Sequence, residues 1–241
     1  YALPATVFLA TGYLGAAREF WWDELEQLLL APGRLPKSLR LMINGELHHW
    51  DLGPAAEYGE EDRGRDRSRR AWDGEPGSRF FLYYSVWQRL RVLSHDARQH
   101  LLGEIREWAG MQVSARPGHR PLTLDEVGAL RKGELIEIGA HTVTHPSLPA
   151  RETETQRVEI SKSKTDLEAL LNEPVTSFAY PFGDYTAETV ALVRDAGFAC
   201  ACSTVCGMVW PAANRFELPR IEVQDWDGEE FQARLSSWFR D

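Results

Sequence analysis

Apolar and polar positions along this chain change rhythm twice. Leu3 to Ala10 is an apolar string closed by Thr11, Gly12 and Gly15, and it reads as a buried strand. Trp21, Trp22, Leu25, Leu28 and Leu29 then recur at helical spacing, with Asp23, Glu24 and Glu26 between them. Residues 39–43 and 46–50 flank Asn44-Gly45, which supplies the two positive-φ positions of a type I′ turn, so this stretch predicts a β-hairpin. Residues 54–78 mix glycine with both signs of charge, as in Glu60-Glu61-Asp62-Arg63 and Arg69-Arg70, and predict a solvated, mobile loop. Helices are predicted over about 79–93 and 95–109, the second capped by Ser94 or Asp96 and stopped by Gly110. Thr123-Leu124-Asp125-Glu126 is a capping box, in which hydroxyl and carboxylate each satisfy a free N–H at a helix start.

From residue 135 the rhythm alternates. Strands are predicted at 135–140, 175–180, 198–203 and 218–223, with helices over about 151–171, 186–196 and 228–239. Strands alternating with helices imply parallel β/α units in a doubly wound sheet or a barrel. The stretch 19–110 interrupts that alternation and reads as an insertion, mainly helical with one β-hairpin, inside a single domain spanning 1–241.

Charge and composition narrow the function. Lys and Arg number 27 against 36 Asp and Glu, a net charge of -9, which argues against a nucleic-acid footprint or an anionic-membrane anchor. No uncharged apolar run reaches the about 18 residues of a membrane span. The chain opens at Tyr1, directly before an apolar strand, and so reads as trimmed. Cys200, Cys202 and Cys206 fit no common zinc spacing; they read as buried free thiols, with Cys200 and Cys202 on one strand face. Six of the nine Trp (21, 22, 50, 72, 87 and 108) fall in the insertion, as its core or as a sugar-stacking wall.

The sharpest chemical feature follows the strand at 135–140. His141 and His145 in Gly139-Ala140-His141-Thr142-Val143-Thr144-His145-Pro146 are four apart, which on a helical turn brings both imidazoles to one side, within reach of a common metal ion. C-terminal strand ends are where β/α folds build their sites. A zincin helix is disfavoured, because position 142 is Thr where that motif needs Glu, and Pro146 stops helix continuation. Spacing alone leaves open a second reading, two surface or capping histidines. At the next strand end, Tyr180, Pro181, Phe182 and Tyr185 read either as a groove wall or as a strand-to-helix turn capped by Asp184. Arg220, in an apolar context, calls for a carboxylate or a ligand oxygen.

Four strings occur here in the order and approximate spacing of the NodB-homology polysaccharide deacetylases, carbohydrate esterase family four, and the chain resembles that family. They are Tyr1-Ala2-Leu3-Pro4-Ala5-Thr6-Val7-Phe8-Leu9-Ala10-Thr11-Gly12, Ile138-Gly139-Ala140-His141-Thr142-Val143-Thr144-His145-Pro146-Ser147-Leu148, Phe178-Ala179-Tyr180-Pro181-Phe182-Gly183 and Asp195-Ala196-Gly197-Phe198. The resemblance implies an α/β fold, an irregular (β/α)7-type barrel lacking its first strand, and metal-dependent removal of acetyl from an N-acetylated sugar in a polysaccharide or oligosaccharide. It makes His141 and His145 metal ligands, Thr142 the brace of their loop, and Tyr180, Pro181, Phe182 and Tyr185 the substrate groove, with the Phe182 N–H facing the oxyanion. Two imidazoles plus a carboxylate suit Zn²⁺, with Co²⁺ and Ni²⁺ compatible.

The sequence departs from the family pattern at three places. The family's Asp-Asp motif, which carries the general base and third ligand, belongs upstream of Tyr1; position 179 is Ala where the family has Arg; and Arg220 stands near where a general-acid His is expected, a weak catalytic candidate. The expectation is therefore that this chain assayed alone is inactive and binds metal weakly. A non-catalytic carbohydrate-binding pseudo-enzyme is the rival reading. A different β/α metal hydrolase of the amidohydrolase kind is disfavoured, because only two of the seven His fall at a predicted strand end in the C-terminal half.

Overall fold

The computed structural model describes residues 2–112, 114–133 and 135–239; Tyr1, where the first family-like string opens, lies outside the described residues. In chain order the elements are β1 (Ala5–Leu9), α1 (Trp21–Leu30), β2 (Gly33–Arg34), β3 (Ser38–Ile43), β4 (Glu46–Asp51), β5 (Glu57–Tyr58), α2 (Glu60–Arg67), α3 (Arg79–Leu90), α4 (His95–Ala109), α5 (Leu124–Arg131), β6 (Ile136–Ala140), α6 (Thr153–Leu171), β7 (Ser177–Ala179), α7 (Ala187–Asp195), β8 (Cys200–Cys202) and α8 (Gly228–Trp238). Two compact units divide the chain: residues 1–11 with 128–241, and residues 12–127. The second is wider than the insertion expected at 19–110. Among the described residues no helix is long and apolar enough to cross a membrane.

The first unit is built on a four-stranded parallel sheet in the order β1-β6-β7-β8. Ala140, Phe178, Ala179 and Ala201 are all buried, the apolar character expected of parallel strands covered on both faces. Gly139 is required at the middle of this sheet. A Cβ there would lie 2.5 Å from the Phe8 ring and 2.8 Å from Ser177 Oγ. α6 buries Ile160, Ser163 and Leu167, and ends where Asn172 turns left-handed at φ 54°.

Three expectations in this unit are corrected. Residues 218–223 form no strand; Leu218 makes a single bridge to Cys202, because Pro219 lacks a ladder donor and the Arg220 N–H goes to the Val205 carbonyl at 2.9 Å. The thiols are less buried than expected, with Cys200 and Cys202 half-buried and Cys206 exposed; Ala201 takes the buried face of β8. α8 forms close to its predicted bounds but buries none of its residues.

In the unit of residues 12–127, α1 packs on α3 and α4 through Trp21, Leu25, Leu28 and Leu29. The β3–β4 hairpin buries Leu39, Leu41 and Ile43 on alternate positions, and Asn44 and Gly45 take φ values of 51° and 83° at its turn. Ser94 caps α4 through the Ala97 N–H, and Gly110 ends it at φ 63°. Trp21 and Trp50 belong to the core, the Trp50 indole donating to Ser85 Oγ at 2.9 Å, while Trp72 is exposed. The expected loop at 54–78 is also corrected, since it contains β5 and α2. Asp62 accepts the Gly59 N–H at the start of α2, acidic residues fill its first turn, and Arg65 and Arg67 fill its last, the order that suits the helix dipole.

Glu19, 4 % exposed, is clasped by Arg116 at 2.8 and 2.9 Å. Burial pushes its carboxyl up, but hydrogen bonds from the Arg116 side chain and backbone and from Gln27, with the Arg116 charge, outweigh that and hold it at about 2 against an ordinary 4.5. A carboxyl depressed in the folded state stabilises above its unfolded pKa, and that stability disappears as pH falls from about 4.5 to about 2. The pair is expected to contribute up to about 3 kcal/mol near neutrality. Thermal midpoints at pH 6 and pH 2.5 check this: Glu19→Gln lowers the first and shrinks the gap between the two, and an unchanged gap contradicts it.

Candidate functional site

β1 and β6 deliver the chain to the loop of residues 141–147, which is irregular and not the helical turn inferred from spacing. The loop stays close to the strand ends. His141 N–H donates to the Leu9 carbonyl at 3.0 Å, and Thr11 N–H to the Thr142 carbonyl at 3.1 Å. Thr142 and His145 both adopt left-handed backbone, φ 66° and 53°. For a β-branched Thr this conformation costs on the order of 1–3 kcal/mol and persists only where neighbours enforce it.

The enforcing contacts are visible. Thr142 Oγ1 donates to the His141 carbonyl at 2.5 Å and accepts from the His145 N–H at 3.1 Å, so it spans the residues between the two histidines. From α6, buried Glu159 accepts three hydrogen bonds: from the N–H groups of Val143 and Thr144 at 2.8 and 2.9 Å, and from Thr144 Oγ1 at 2.6 Å. The imidazoles of His141 and His145 meet at 4.6 Å between centroids with planes at 77°.

The next loop fixes one ring further. The Ala179 carbonyl, at the end of β7, lies 2.7 Å from His141 Nδ1. A carbonyl can only accept, so Nδ1 carries the proton and the lone pair is on Nε2, the tautomer a metal-ligating imidazole needs. Desolvation lowers the His141 pKa and the Ala179 bond opposes it; the Arg220 charge lowers it further, to about 4, so the ring is neutral at pH 7.

The Phe182 and His145 rings stand nearly perpendicular, 4.6 Å between centroids at 88°, with Phe182 on a left-handed backbone at φ 59°. Gly183 follows at φ 74°, where a Cβ would lie 1.9 Å from Thr204 Oγ1, so only glycine fits. Ser147 Oγ donates to Asp184 at 2.9 Å and joins the two loops.

The expected groove residues divide. Tyr180 and Pro181 are buried, the Tyr180 hydroxyl donating to the Phe216 carbonyl at 2.8 Å, whereas Phe182 and Tyr185 are half-exposed. Among the described residues Arg220 meets no carboxylate, one of the two partners expected for it. Its Nε donates to the Ser203 carbonyl at 2.7 Å, and the exposed side chain lines an open cavity of about 370 Å³ with Thr204, Ile221 and Glu222.

Sequence reading missed the roles of Glu159 and Ser147, and Asp184, expected as a helix cap, instead accepts from Ser147 while Thr186 caps α7. Glu159 left a signal: it falls on the buried face of α6 with Ile160, Ser163 and Leu167, and a carboxylate at such a position calls for donors. Among the described residues, one trio of His, Asp, Glu or Cys side chains brings its ligand atoms within 4.8 Å of one another, Asp23, Glu26 and His119, in the other unit. The imidazole pair therefore has no third ligating side chain at that separation among the described residues.

Residues 101–201 match the sequence profile of the polysaccharide deacetylase family. This segment, fewer than half of the chain, is similar to polysaccharide deacetylases. Both histidines, the loop that holds them, and Ala179 through Asp184 lie inside it. No curated protein matches the chain.

Among solved structures, the Streptococcus pyogenes deacetylase PplD in complex with acetate is similar at 24 % identity over 52 % of this chain and 54 % of its own, with a TM-score of 0.47. The polysaccharide deacetylase BC0361 from Bacillus cereus is similar at 18 %, over 58 % of this chain and 48 % of its own, with a TM-score of 0.44. BA3943 from Bacillus anthracis, described as a CE4 family pseudoenzyme, is similar at 27 % over 34 % of this chain and 29 % of its own, with a TM-score of 0.32. The chain thus spans about half the length of the first of these relatives, and the fold is read from the sheet order and register instead.

Proposed function

We propose that the protein acts as a metal-dependent deacetylase on N-acetylated sugars of a polysaccharide or oligosaccharide, hydrolysing a carbon–nitrogen amide bond. One observation carries the reading: His141 and His145 converge edge to face beside a half-exposed aromatic, with the His141 Nδ1 proton committed to a backbone carbonyl. Neutral imidazoles so held fit a borderline divalent cation, Zn²⁺ first and Co²⁺ or Ni²⁺ next, as two of its ligands. Such an ion, when bound, polarises the acetyl carbonyl and acidifies water.

The chain's own groups have separate tasks. His141 and His145 supply the imidazole donors, and Thr142 and Glu159 hold their loop in its left-handed form. Phe182 and Tyr185 offer ring faces to a sugar, with Tyr180 and Pro181 packed behind them. The Phe182 N–H is assigned to the oxyanion that develops on the acetyl oxygen. Arg220, whose charge already reaches His141, is assigned to substrate oxygens. The four parallel strands are read as part of an irregular (β/α)7-type barrel.

Acetate release from N-acetylglucosamine oligomers tests this. With a carboxylate ligand and base in place the expected result is release that a chelator abolishes and Zn²⁺ or Co²⁺ restores, this chain alone being inactive. Release indifferent to the chelator overturns the metal dependence, and robust release by this chain alone, or none from any acetylated sugar by the form that carries those carboxylates, overturns the reading.

A further inference from the structure

The unit of residues 12–127 brings together three donor side chains that the deacetylase reading does not use. Asp23 and Glu26 stand three residues apart on α1, so both carboxylates leave the same side of the helix. His119 comes from the turn at 116–119, its N–H donating to the Arg116 carbonyl at 3.0 Å. One oxygen of each carboxylate and one ring nitrogen of His119 lie within 4.8 Å of one another. All three are open to an incoming ion, Asp23 and Glu26 half-exposed and His119 exposed.

The trio is not explained by direct pairing. Among the described residues the His119 side chain makes no hydrogen bond or ion pair, and the Asp23 carboxylate receives no hydrogen bond. Two donors bound at about 2.0–2.2 Å to one ion stand at most about 4.4 Å apart, so the exposed imidazole has only a few tenths of an ångström to close.

Charge around the trio is unbalanced. The Arg116 guanidinium is committed to Glu19 at 2.8 and 2.9 Å, and beyond it reaches the Asp23 backbone carbonyl at 3.2 Å and Glu26 Oε2 at 3.5 Å. Three carboxylates against one guanidinium leave two negative charges. Arg63, Arg67 and Arg69, across the cavity that Glu26 also lines, make no ion pair with Glu26 among the described residues. Burial and then the Glu19 charge push the Asp23 carboxyl above its ordinary range, with Glu26 adding to them and His119 and Arg116 opposing. The Tyr83 hydroxyl on the neighbouring helix reports the same field: burial raises it first, and the Glu26 and Asp23 charges raise it further.

The donor set decides which cation fits. Ca²⁺ takes six to eight oxygens, whereas an imidazole beside two carboxylates suits a borderline divalent ion. We propose that Asp23, Glu26 and His119 bind such an ion, Zn²⁺ or Co²⁺, in a metal site that shares no residue with the imidazole pair. The ion clips the turn at 116–119 to α1, and water fills its remaining positions on the exposed side. The proposal goes beyond the deacetylase reading and stands if that reading fails.

The test is a Zn²⁺ titration of the whole chain at neutral pH, read by NMR at the His119 ring and at the Glu26 amide, with Ca²⁺ as the hard-cation control. Zn²⁺ is expected to shift both signals saturably, and Ca²⁺ at the same concentration to leave the ring signal in place. Loss of even an outer-shell partner costs a metal site about 10–100-fold in affinity, so Asp23→Asn and His119→Ala are each expected to weaken Zn²⁺ binding here at least about tenfold. Asn keeps the shape of Asp23, and His119 is exposed, so both variants keep the fold, which retained amide dispersion verifies. The idea is overturned by a His119 ring that excess Zn²⁺ does not move, by Ca²⁺ moving it equally, or by an Asp23→Asn variant of unchanged affinity, the mark of a lone surface imidazole. The His141 and His145 rings report the other site in the same spectra, so either assignment can fail while the other holds.

Discussion

In a form of the protein that carries the carboxylate ligand and base, acetate release is expected to fall at least about 10³-fold when His141→Ala and His145→Ala are combined. A bound divalent ion supplies several kcal/mol of stabilisation to the developing charge, and each 1.36 kcal/mol is a factor of ten in rate. The substitution must be read against folding, since His145 is buried and packs perpendicular to Phe182. Circular dichroism and the thermal midpoint of the double variant separate the two causes. A variant that folds as the parent does and still releases acetate within tenfold of it contradicts the assignment of the pair.

The second large effect is structural. Arg79, at the start of α3, is 2 % exposed and donates to five backbone carbonyls: Ala55 at 3.0 Å, Leu29 at 3.2 Å, Ala31 at 3.4 Å, and Gly33 and Ala56 at 2.6 Å each. Its guanidinium also lies over the Tyr58 ring at 5.3 Å. One side chain therefore ties the end of α1 to the segments around β2 and β5. Arg79→Met keeps much of the volume and removes every donor; the Ala56 carbonyl keeps the Leu35 N–H, but the Leu29 bond is lost from buried surroundings and those to Ala55, Ala31 and Gly33 from part-buried ones, and a buried acceptor left unmet costs about 1–3 kcal/mol. Several together approach the 5–15 kcal/mol of a typical domain's whole stability. The expected outcome is loss of the cooperative thermal transition of residues 12–127, or a fall in its midpoint of at least about 15 °C. A shift below about 5 °C contradicts the role given to Arg79.

Local chemistry was legible in the sequence where one residue type fits one backbone state. Asn44-Gly45 demanded positive φ and has it, Ser94 caps α4, and Thr123 with Glu126 closes its box at 2.8 and 3.2 Å. The alternation after residue 135 gave the parallel order, because apolar strands separated by amphipathic helices have few other ways to bury themselves. Charge misled at α2, where the run Glu60 to Arg67 looks like a solvated loop until Asp62 and Asp66 find Gly59 and Tyr58. The strand expected at 218–223 failed at Pro219, a residue periodicity does not weigh.

At the candidate site, the sequence marked the histidines but not how they meet. Their convergence depends on two left-handed residues and on Glu159, 14 positions beyond His145, and no spacing rule encodes such a contact. Arg79 was illegible for the same reason, since its acceptors lie 23 to 50 residues away along the chain. A charged residue in a helical pattern reads as surface until those distant carbonyls are known.

The account rests on two imidazoles sharing one cation, and anomalous diffraction from crystals soaked in Zn²⁺ tests that most directly. A peak about 2.0–2.1 Å from a ring nitrogen of both His141 and His145 is the result expected. A peak confined to Asp23, Glu26 and His119, or no peak at the pair under saturating Zn²⁺, contradicts it.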